Sequence, residues 1–310
     1  MIVQTTTIKA KPFLKWAGGK TQLLPTINSF LPESFRSEDD VTYIEPFVGG
    51  GAVLFFMLQK YPNIKRAIIN DINPRLIKTY GVIRDEPYVL IDALNELQSR
   101  FNALNDFYKQ KELYLDIRTL FNKQELNEVE EAAYMIFLNR TCFNGLYREN
   151  SKGEFNVPFG RYSNPKICDE GLILADCELL QRVEILNGDF SQTAERIQGY
   201  TFFYLDPPYR PLDATSSFNS YVKETFNDNE QIRLRNFYSE ISDGGCYALL
   251  SNSDCKGRNS EDDFFDRLYE DFFIERVSAK RCINANAAKR GTLTELLIRN
   301  YENYQGTPLN

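Results

Sequence analysis

Asp206, Pro207, Pro208 and Tyr209 are the residues of this chain best suited to handle a planar amine. A carboxylate and a main-chain carbonyl can accept the two N–H groups of an NH2, and a tyrosine ring can stack beneath it. The prolines cannot donate to a sheet ladder, so a strand leading into them must stop there. Thr201 to Leu205, just ahead, reads as such a strand: short, apolar and aromatic. A polar residue at the carboxyl end of a central strand in an open α/β sheet stands where ligands bind. Alone, D-P-P-Y would serve equally as a strand followed by a proline-rich turn.

The chain holds no histidine. That removes the usual general base, any Ser-His-Asp or Cys-His arrangement and histidine-ligated metal sites. The chemistry must therefore need neither a strong base nor a histidine-bound metal, and no metal is expected. Six cysteines stand singly, with no C-x-x-C pair, and read as reduced, mostly buried thiols of a cytoplasmic protein. No apolar run is long enough to span a bilayer, and the first residues lack the apolar centre of a signal peptide, so no membrane is expected. At 310 residues, 43% hydrophobic and 25% charged, the chain can bury a full core. Its net charge of −7 disfavours a protein that simply coats nucleic acid. The charge is unevenly spread, however. Arg276, Lys280, Arg281, Lys289 and Arg290 form a stretch free of acids, while Arg140, Arg148, Lys152, Arg161 and Lys166 meet only Glu149 and Glu154.

The elements that must position D-P-P-Y follow the chain. Lys15 to Lys20 reads K-W-A-G-G-K ahead of a helix over 21–31. Lys20 suits a carboxylate and Trp16 an apolar or cationic group; a packed indole at an N-terminal helix would look the same. Val41 to Phe47 is a first strand, with Glu45 near its end. Gly49-Gly50-Gly51 then opens an apolar helix over 52–60, the strand–glycine–helix layout of nucleotide-binding folds. Ala67 to Asn70 is a second strand ending at Asp71, roughly 20 residues beyond the glycines, where an acid can accept both ribose hydroxyls. Asp71 in N-D-I-N-P would equally serve as a helix cap. Val183 to Asn187 is a strand ending G-D-F; Asp189 suits an adenine amino group and Phe190 its ring.

Between the second strand and this one, Pro74 to Asn139 carries helical periodicity with charged faces and no strand signal. It closes in an Asn-, Arg- and aromatic-rich block, Asn139 to Tyr162, whose Asn144-Gly145 and Lys152-Gly153 pairs mark a hairpin or ordered loop. Such residues suit base-edge hydrogen bonding and wedging into a duplex. Beyond G-D-F, residues 192–198 read as a helix, Asp213 to Asn227 as a mobile loop over the site, and Asn229 to Asp243 as a helix. Cys246 to Ser251, Phe272 to Val277 and Glu295 to Arg299 complete seven strands. The missing G-x-G-x-x-G argues against a nicotinamide enzyme.

Together, K-W-A-G-G-K, E-P-F-V-G-G-G, N-D-I-N, the N-R…F-N-G-L-Y-R-x-N-x-x-G-x-F-N-V-P-F-G block, G-D-F and D-P-P-Y stand in one order over nearly the whole chain. In this the sequence resembles the Dam-type N6-adenine DNA methyltransferases of the D12 class. The resemblance implies a Rossmann-like, class I S-adenosylmethionine-dependent α/β fold: a seven-stranded mixed sheet with an inserted, mainly helical target-recognition domain. It assigns 1–73 and 182–310 to the catalytic domain and 74–181 to the insert, with the hairpin at 139–162. It implies S-adenosylmethionine as donor, held by Trp16, Lys20, Glu45, Phe47, Gly49, Gly51, Asp71, Asp189, Phe190 and Asp206. Asp206, Pro207, Pro208 and Tyr209 become the catalytic motif. Double-stranded DNA becomes the partner, read in a GATC or related site by Phe143, Asn144, Leu146 and Arg148. Lys15, Arg140, Tyr162, Lys280, Arg281 and Lys289 become further DNA contacts. Thr141-Cys142 departs from the bulkier residues of the family beside that hairpin. The resemblance points to an intracellular monomer and leaves room for a cognate restriction endonuclease acting separately. Rival readings are a methyltransferase of RNA or protein glutamine, and a non-catalytic DNA-binding module.

Overall fold

The structure is a computed structural model and describes residues 8–123, 125–210, 226–257, 259–280 and 292–302. Seven strands form one sheet: β1 (Val41–Glu45), β2 (Ile64–Asp71), β3 (Val183–Asn187), β4 (Tyr200–Leu205), β5 (Tyr247–Ser253), β6 (Phe273–Lys280) and β7 (Thr292–Arg299). Their order is β3-β2-β1-β4-β5-β7-β6. β1 to β5 pair in parallel, and β7 runs antiparallel between β5 and β6. The expected seven-stranded mixed sheet is therefore present. β2 begins earlier than expected, at Ile64, because exposed Lys65 and half-buried Arg66 precede its apolar part. β1 stops at Glu45, before Pro46, so Phe47 lies outside the strand.

Every residue of β1 is buried, as a parallel sheet covered on both faces requires. Along β4 the side chains alternate between two cores. Phe202 and Tyr204 join one face with α3 (Ala52–Lys60) and the inserted helices. Phe203 and Leu205 join the other, with α9 (Asp228–Asp243) and α10 (Phe264–Leu268). The N-terminal part contributes only short helices, α1 (Leu24–Ser29) and α2 (Glu33–Ser37). α1 is shorter than the helix expected over 21–31, because Pro25 fixes its first turn.

Between β2 and β3 come α4 (Pro74–Asp85), α5 (Pro87–Ala103), α6 (Phe107–Asn122), α7 (Glu128–Thr141) and α8 (Glu170–Leu180). Asn73 caps α4, accepting from the amides of Arg75 and Leu76, with Pro74 opening the first turn. Asn127 and Glu130 form a reciprocal capping box on α7. α4 touches β2 and β3 as well as α7 and α8, so it covers the sheet while joining the insert. The helix expected over 192–198 is a 3-10 segment, Phe190–Arg196: Asp189 starts it by accepting from the Ser191 amide, and little chain remains before Gly199. Among the described residues the cysteines are free, and no helix is long and apolar enough to cross a membrane. Most of the loop expected over 213–227, together with Arg281 and Lys289, lies outside the described residues.

The turn between β1 and α3 needs its glycines. Gly51 sits at φ 74°, and a Cβ there would collide with the Tyr80 hydroxyl, which donates to the Gly49 carbonyl at 3.0 Å. Gly51→Ala should cost about 3 kcal/mol in urea denaturation. Gly81→Ala, inside α4 with nothing within 4 Å of the added carbon, should be neutral or stabilise by about 1 kcal/mol.

Candidate active site

β4 delivers Asp206 to the carboxyl edge of the sheet, next to β1, where the strand order reverses. The last β4–β5 register pair is Leu205–Leu250, so the chain leaves the ladder as the prolines begin. Asp206 Oδ1 lies 2.7 Å from Lys20 Nζ and accepts from Ser251 Oγ at 3.0 Å. Ser251 stands on β5, within hydrogen-bond reach of the Tyr204 hydroxyl at 3.0 Å. Lys20 is only 3% exposed, and its ammonium also donates to the Gly18 carbonyl at 2.9 Å. The same ammonium lies 4.8 Å from the centre of the Tyr209 ring. Pro207 is buried, and the Pro208 carbonyl accepts from Gln231 Nε2 on α9 at 3.2 Å. Tyr209 is 37% exposed and donates its hydroxyl to Glu295 of β7 at 3.0 Å.

The end of β1 adds Glu45, buried and accepting from the Tyr43 hydroxyl at 2.5 Å. Burial, first of all, pushes its carboxyl up to about 8, with the charge of Asp206 adding to the effect and the Tyr43 bond opposing it. Trp16 lies across the glycine turn, close enough that a Cβ at Gly49 or Gly50 would crowd it. Asp71, at the tip of β2, accepts from the Gly49 amide at 3.1 Å and the Asn73 amide at 2.9 Å. It therefore braces the glycine turn, and the capping role falls to Asn73. Burial raises its pKa against the pull of these amide bonds.

Asp189 follows β3 and is paired through both oxygens to Arg233 of α9, at 3.0 and 2.7 Å. The guanidinium bonds hold its carboxyl down at about 2. Arg233 also covers one face of Phe190, 4.2 Å from the ring centre. Phe190 is buried and packs with Phe47 and Phe226, at 5.2 and 6.3 Å between ring centres.

The block after α7 is an ordered antiparallel loop, held by the bridges Cys142–Phe159 and Glu149–Phe155 and by a 3-10 turn, Phe143–Gly145. Asn144 takes a left-handed φ of 58°, which asparagine tolerates well. Phe143 and Asn144 are exposed, whereas Leu146 packs against the core. Arg148 is exposed and donates through Nε to Asn156 Oδ1 at 2.7 Å. Asn139 ties this loop to the N-terminal segment: it accepts from the Lys15 amide at 2.8 Å and donates to the carbonyls of Lys15 and Gly145, both at 2.9 Å. Lys15 then extends over the Tyr162 ring, 5.2 Å from its centre. Trp16 stacks on Tyr147 of the loop at 5.0 Å. Lys15, Phe143, Asn144, Leu146, Arg148 and Tyr162 thus belong to one connected region. Arg140 does not join them outward; it turns in and donates to the Phe13 carbonyl at 2.7 Å. Lys280 ends β6.

Sequence reading passed over Ser251, Asn139, Tyr147, Arg233 and Glu295. Glu295 did carry a signal: it is a lone acid inside an apolar strand. The pairing of Asp189 with Arg233 spans far-separated positions and has no local mark.

A parallel sheet with a reversed strand next to its edge, a glycine turn after β1 and acids at the tips of β1, β2 and β4 define the α/β methyltransferase architecture. The chain belongs to the D12 class N6 adenine-specific DNA methyltransferases, whose family model matches residues 16–283. It is 50% identical over 297 residues to the Type II methyltransferase M.MjaIII of Methanocaldococcus jannaschii, covering 95% of this chain and 100% of that protein. It is 40% identical to the Type II methyltransferase M1.LlaDCHI of Lactococcus lactis subsp. cremoris, covering 97% and 99%. It is 34% identical to the DNA adenine methylase of Escherichia coli, covering 76% and 77%. The protein is accordingly an adenine-specific DNA methyltransferase.

Glu45 carries a pH signature. The fold keeps its proton up to about 8, while the unfolded chain releases it near the ordinary 4.5. The folded state therefore binds more protons between those values, and stability falls as pH rises through that window. Glu45→Gln should flatten this part of the decline when urea midpoints are compared from pH 5 to 8.

Proposed function

We propose that the protein transfers a methyl group from S-adenosylmethionine to N6 of an adenine extruded from duplex DNA, within a GATC or related site. The observation that carries this reading is Asp206 and Tyr209 together at the end of β4, beside the glycine turn. When bound, S-adenosylmethionine supplies an electrophilic methyl on a sulfonium. The cradle fits such a group: glycines where side chains would crowd Trp16, Asp71 at the tip of β2, and an aromatic cluster of Phe47, Phe190 and Phe226. Both Asp71 oxygens already take an amide, yet each has a second lone pair for a ribose hydroxyl. An adenine amino group at Asp189 would have to share that carboxylate with Arg233.

Adenine N6 is a poor nucleophile because its lone pair is delocalised into the ring. Asp206 and the Pro207 carbonyl accept its two N–H groups and favour a pyramidal nitrogen, while Tyr209 stacks on the base. Extrusion brings the base to this edge, since N6 cannot be reached inside a stacked duplex. Placement and electrostatics then carry the rate, and no histidine is needed because the proton leaves after transfer. Residues 1–73 and 182–310 perform the chemistry and 74–181 read the site. Arg148 and Asn144 specify bases, and Lys15 with Tyr162 anchors the outer duplex. The protein works as an intracellular monomer.

Asp206→Ala should abolish tritiated-methyl transfer to duplex DNA and still give a cooperative melting transition, lowered because Lys20 loses its partner; transfer at wild-type rate would overturn the assignment. Arg148→Ala should loosen choice among near-cognate sites more than it weakens cofactor binding, as read by mapping modified adenines in a random-sequence duplex library.

A further inference from the structure

The two side chains placed on the amine, Asp206 and Tyr209, do not touch one another in any bond described above. Each is held by something else, and the two holders meet. Asp206 gives Oδ1 to Lys20 at 2.7 Å, and Tyr209 gives its hydroxyl to Glu295 Oε2 at 3.0 Å. The same Glu295 oxygen lies 4.0 Å from Lys20 Nζ. Lys20 also lies over the Tyr209 ring. Three side chains thus close a ring, Lys20, Glu295 and Tyr209, and Asp206 joins it through Lys20. Three of these four are well shielded, with side-chain exposures of 3% for Lys20, 21% for Asp206 and 18% for Glu295.

The placement of Glu295 follows from the reversed strand. β7 runs antiparallel between β5 and β6, and its register sets Glu295 opposite Ser253 of β5 and Val277 of β6. Ser253 lies just past Ser251, the other residue that bonds Asp206. β7 therefore inserts a carboxylate from its own beginning into the carboxyl edge that β4 and β5 build with their ends.

The geometry points to Glu295 as a positioning residue of the methyl-transfer site, which locks the Tyr209 ring relative to the Asp206 carboxylate through the shared Lys20 ammonium. The inference rests on the reading of Asp206 and Tyr209 given under Proposed function. Both bonds to Asp206 fall on Oδ1, so the lock holds the carboxylate by one oxygen and leaves the other to accept from an incoming amine. The hydroxyl bond fixes the ring's tilt, and Lys20 offsets the two acids that would otherwise repel each other. A stacking ring and an acceptor held at one mutual angle lower the barrier by placement alone.

The test is single-turnover transfer of a tritiated methyl to mixed-sequence duplex DNA by the full chain, with S-adenosylhomocysteine affinity by calorimetry and thermal melting alongside. Glu295→Leu should lower the single-turnover rate by about 100-fold, the scale expected for a misplaced reacting group, while cofactor affinity and melting temperature stay near wild type. Glu295→Gln keeps an acceptor for the Tyr209 hydroxyl and should recover part of the loss. Tyr209→Phe added to Glu295→Leu should cost little further, because both break one link. A wild-type rate in Glu295→Leu, or fully additive losses in the double variant, would overturn the inference. A drop in affinity and melting temperature that matches the drop in rate would do the same, by making Glu295 merely structural. Asp206→Ala separates this from the underlying reading: full activity there sinks the site itself, whereas an inactive Asp206→Ala beside a fully active Glu295→Leu sinks only the lock.

Discussion

The ion pair between Lys20 and Asp206 is the constraint on which the rest depends. It joins a residue near the start of the chain to the end of a central strand at 2.7 Å, with the lysine almost wholly shielded from water. Desolvating such a pair is costly, and removing one member is costlier still, because the other is left uncompensated. The surroundings make the lysine indispensable. Glu45, Asp206 and Glu295 all approach the same edge. Glu45 escapes the crowding by keeping its proton to about 8, so one ammonium serves the remaining two acids. The N-terminal segment must therefore be in place before the edge of β4 has its final charge balance.

That segment is also what connects the proposed transfer site to the loop proposed to face DNA. Asn139, at the end of α7, takes the amide and carbonyl of Lys15 and the carbonyl of Gly145 with one side chain. Lys15 and Lys20 are separated by a few residues, one fastened to the loop and the other to Asp206. Gly145 leaves no room for a side chain because the Lys15 stem packs against it. A short stretch of backbone thus spans the distance between the loop proposed to read a base and the carboxylate proposed to receive one.

Much of the fold was legible in the sequence because the strands obey local rules. β1, β4 and β5 are short apolar runs ended by Glu45, Asp206 and Ser253, and the turns between them carry glycine or proline. The insert was legible as helix because its apolar positions recur at helical spacing and Asn73-Pro74 opens it. The ends were less legible where charge and burial compete, as at Lys65 and Arg66 in β2. In the candidate site, motifs marked Asp206, Tyr209, Asp71 and Trp16, because each sits in a short contiguous run of telling residues. They did not reveal the partners that hold them. Arg233 meets Asp189 across 44 positions and Glu295 meets Tyr209 across 86. Nothing local in K-W-A-G-G-K says that its second lysine faces a carboxylate of the chain itself. Arg140 was misleading for the opposite reason: an arginine inside a basic block turns inward because a buried carbonyl at Phe13 needs a donor.

The stacking of Trp16 on Tyr147 has a practical side. It is the single indole of the chain, and it lies at the seam between the glycine turn and the loop, within van der Waals reach of one and in ring contact with the other. Its emission is consequently free of background from any other tryptophan and sensitive to two events at once, filling of the glycine cradle and displacement of the loop. The molecule carries its own optical gauge, placed beside both proposed ligand sites.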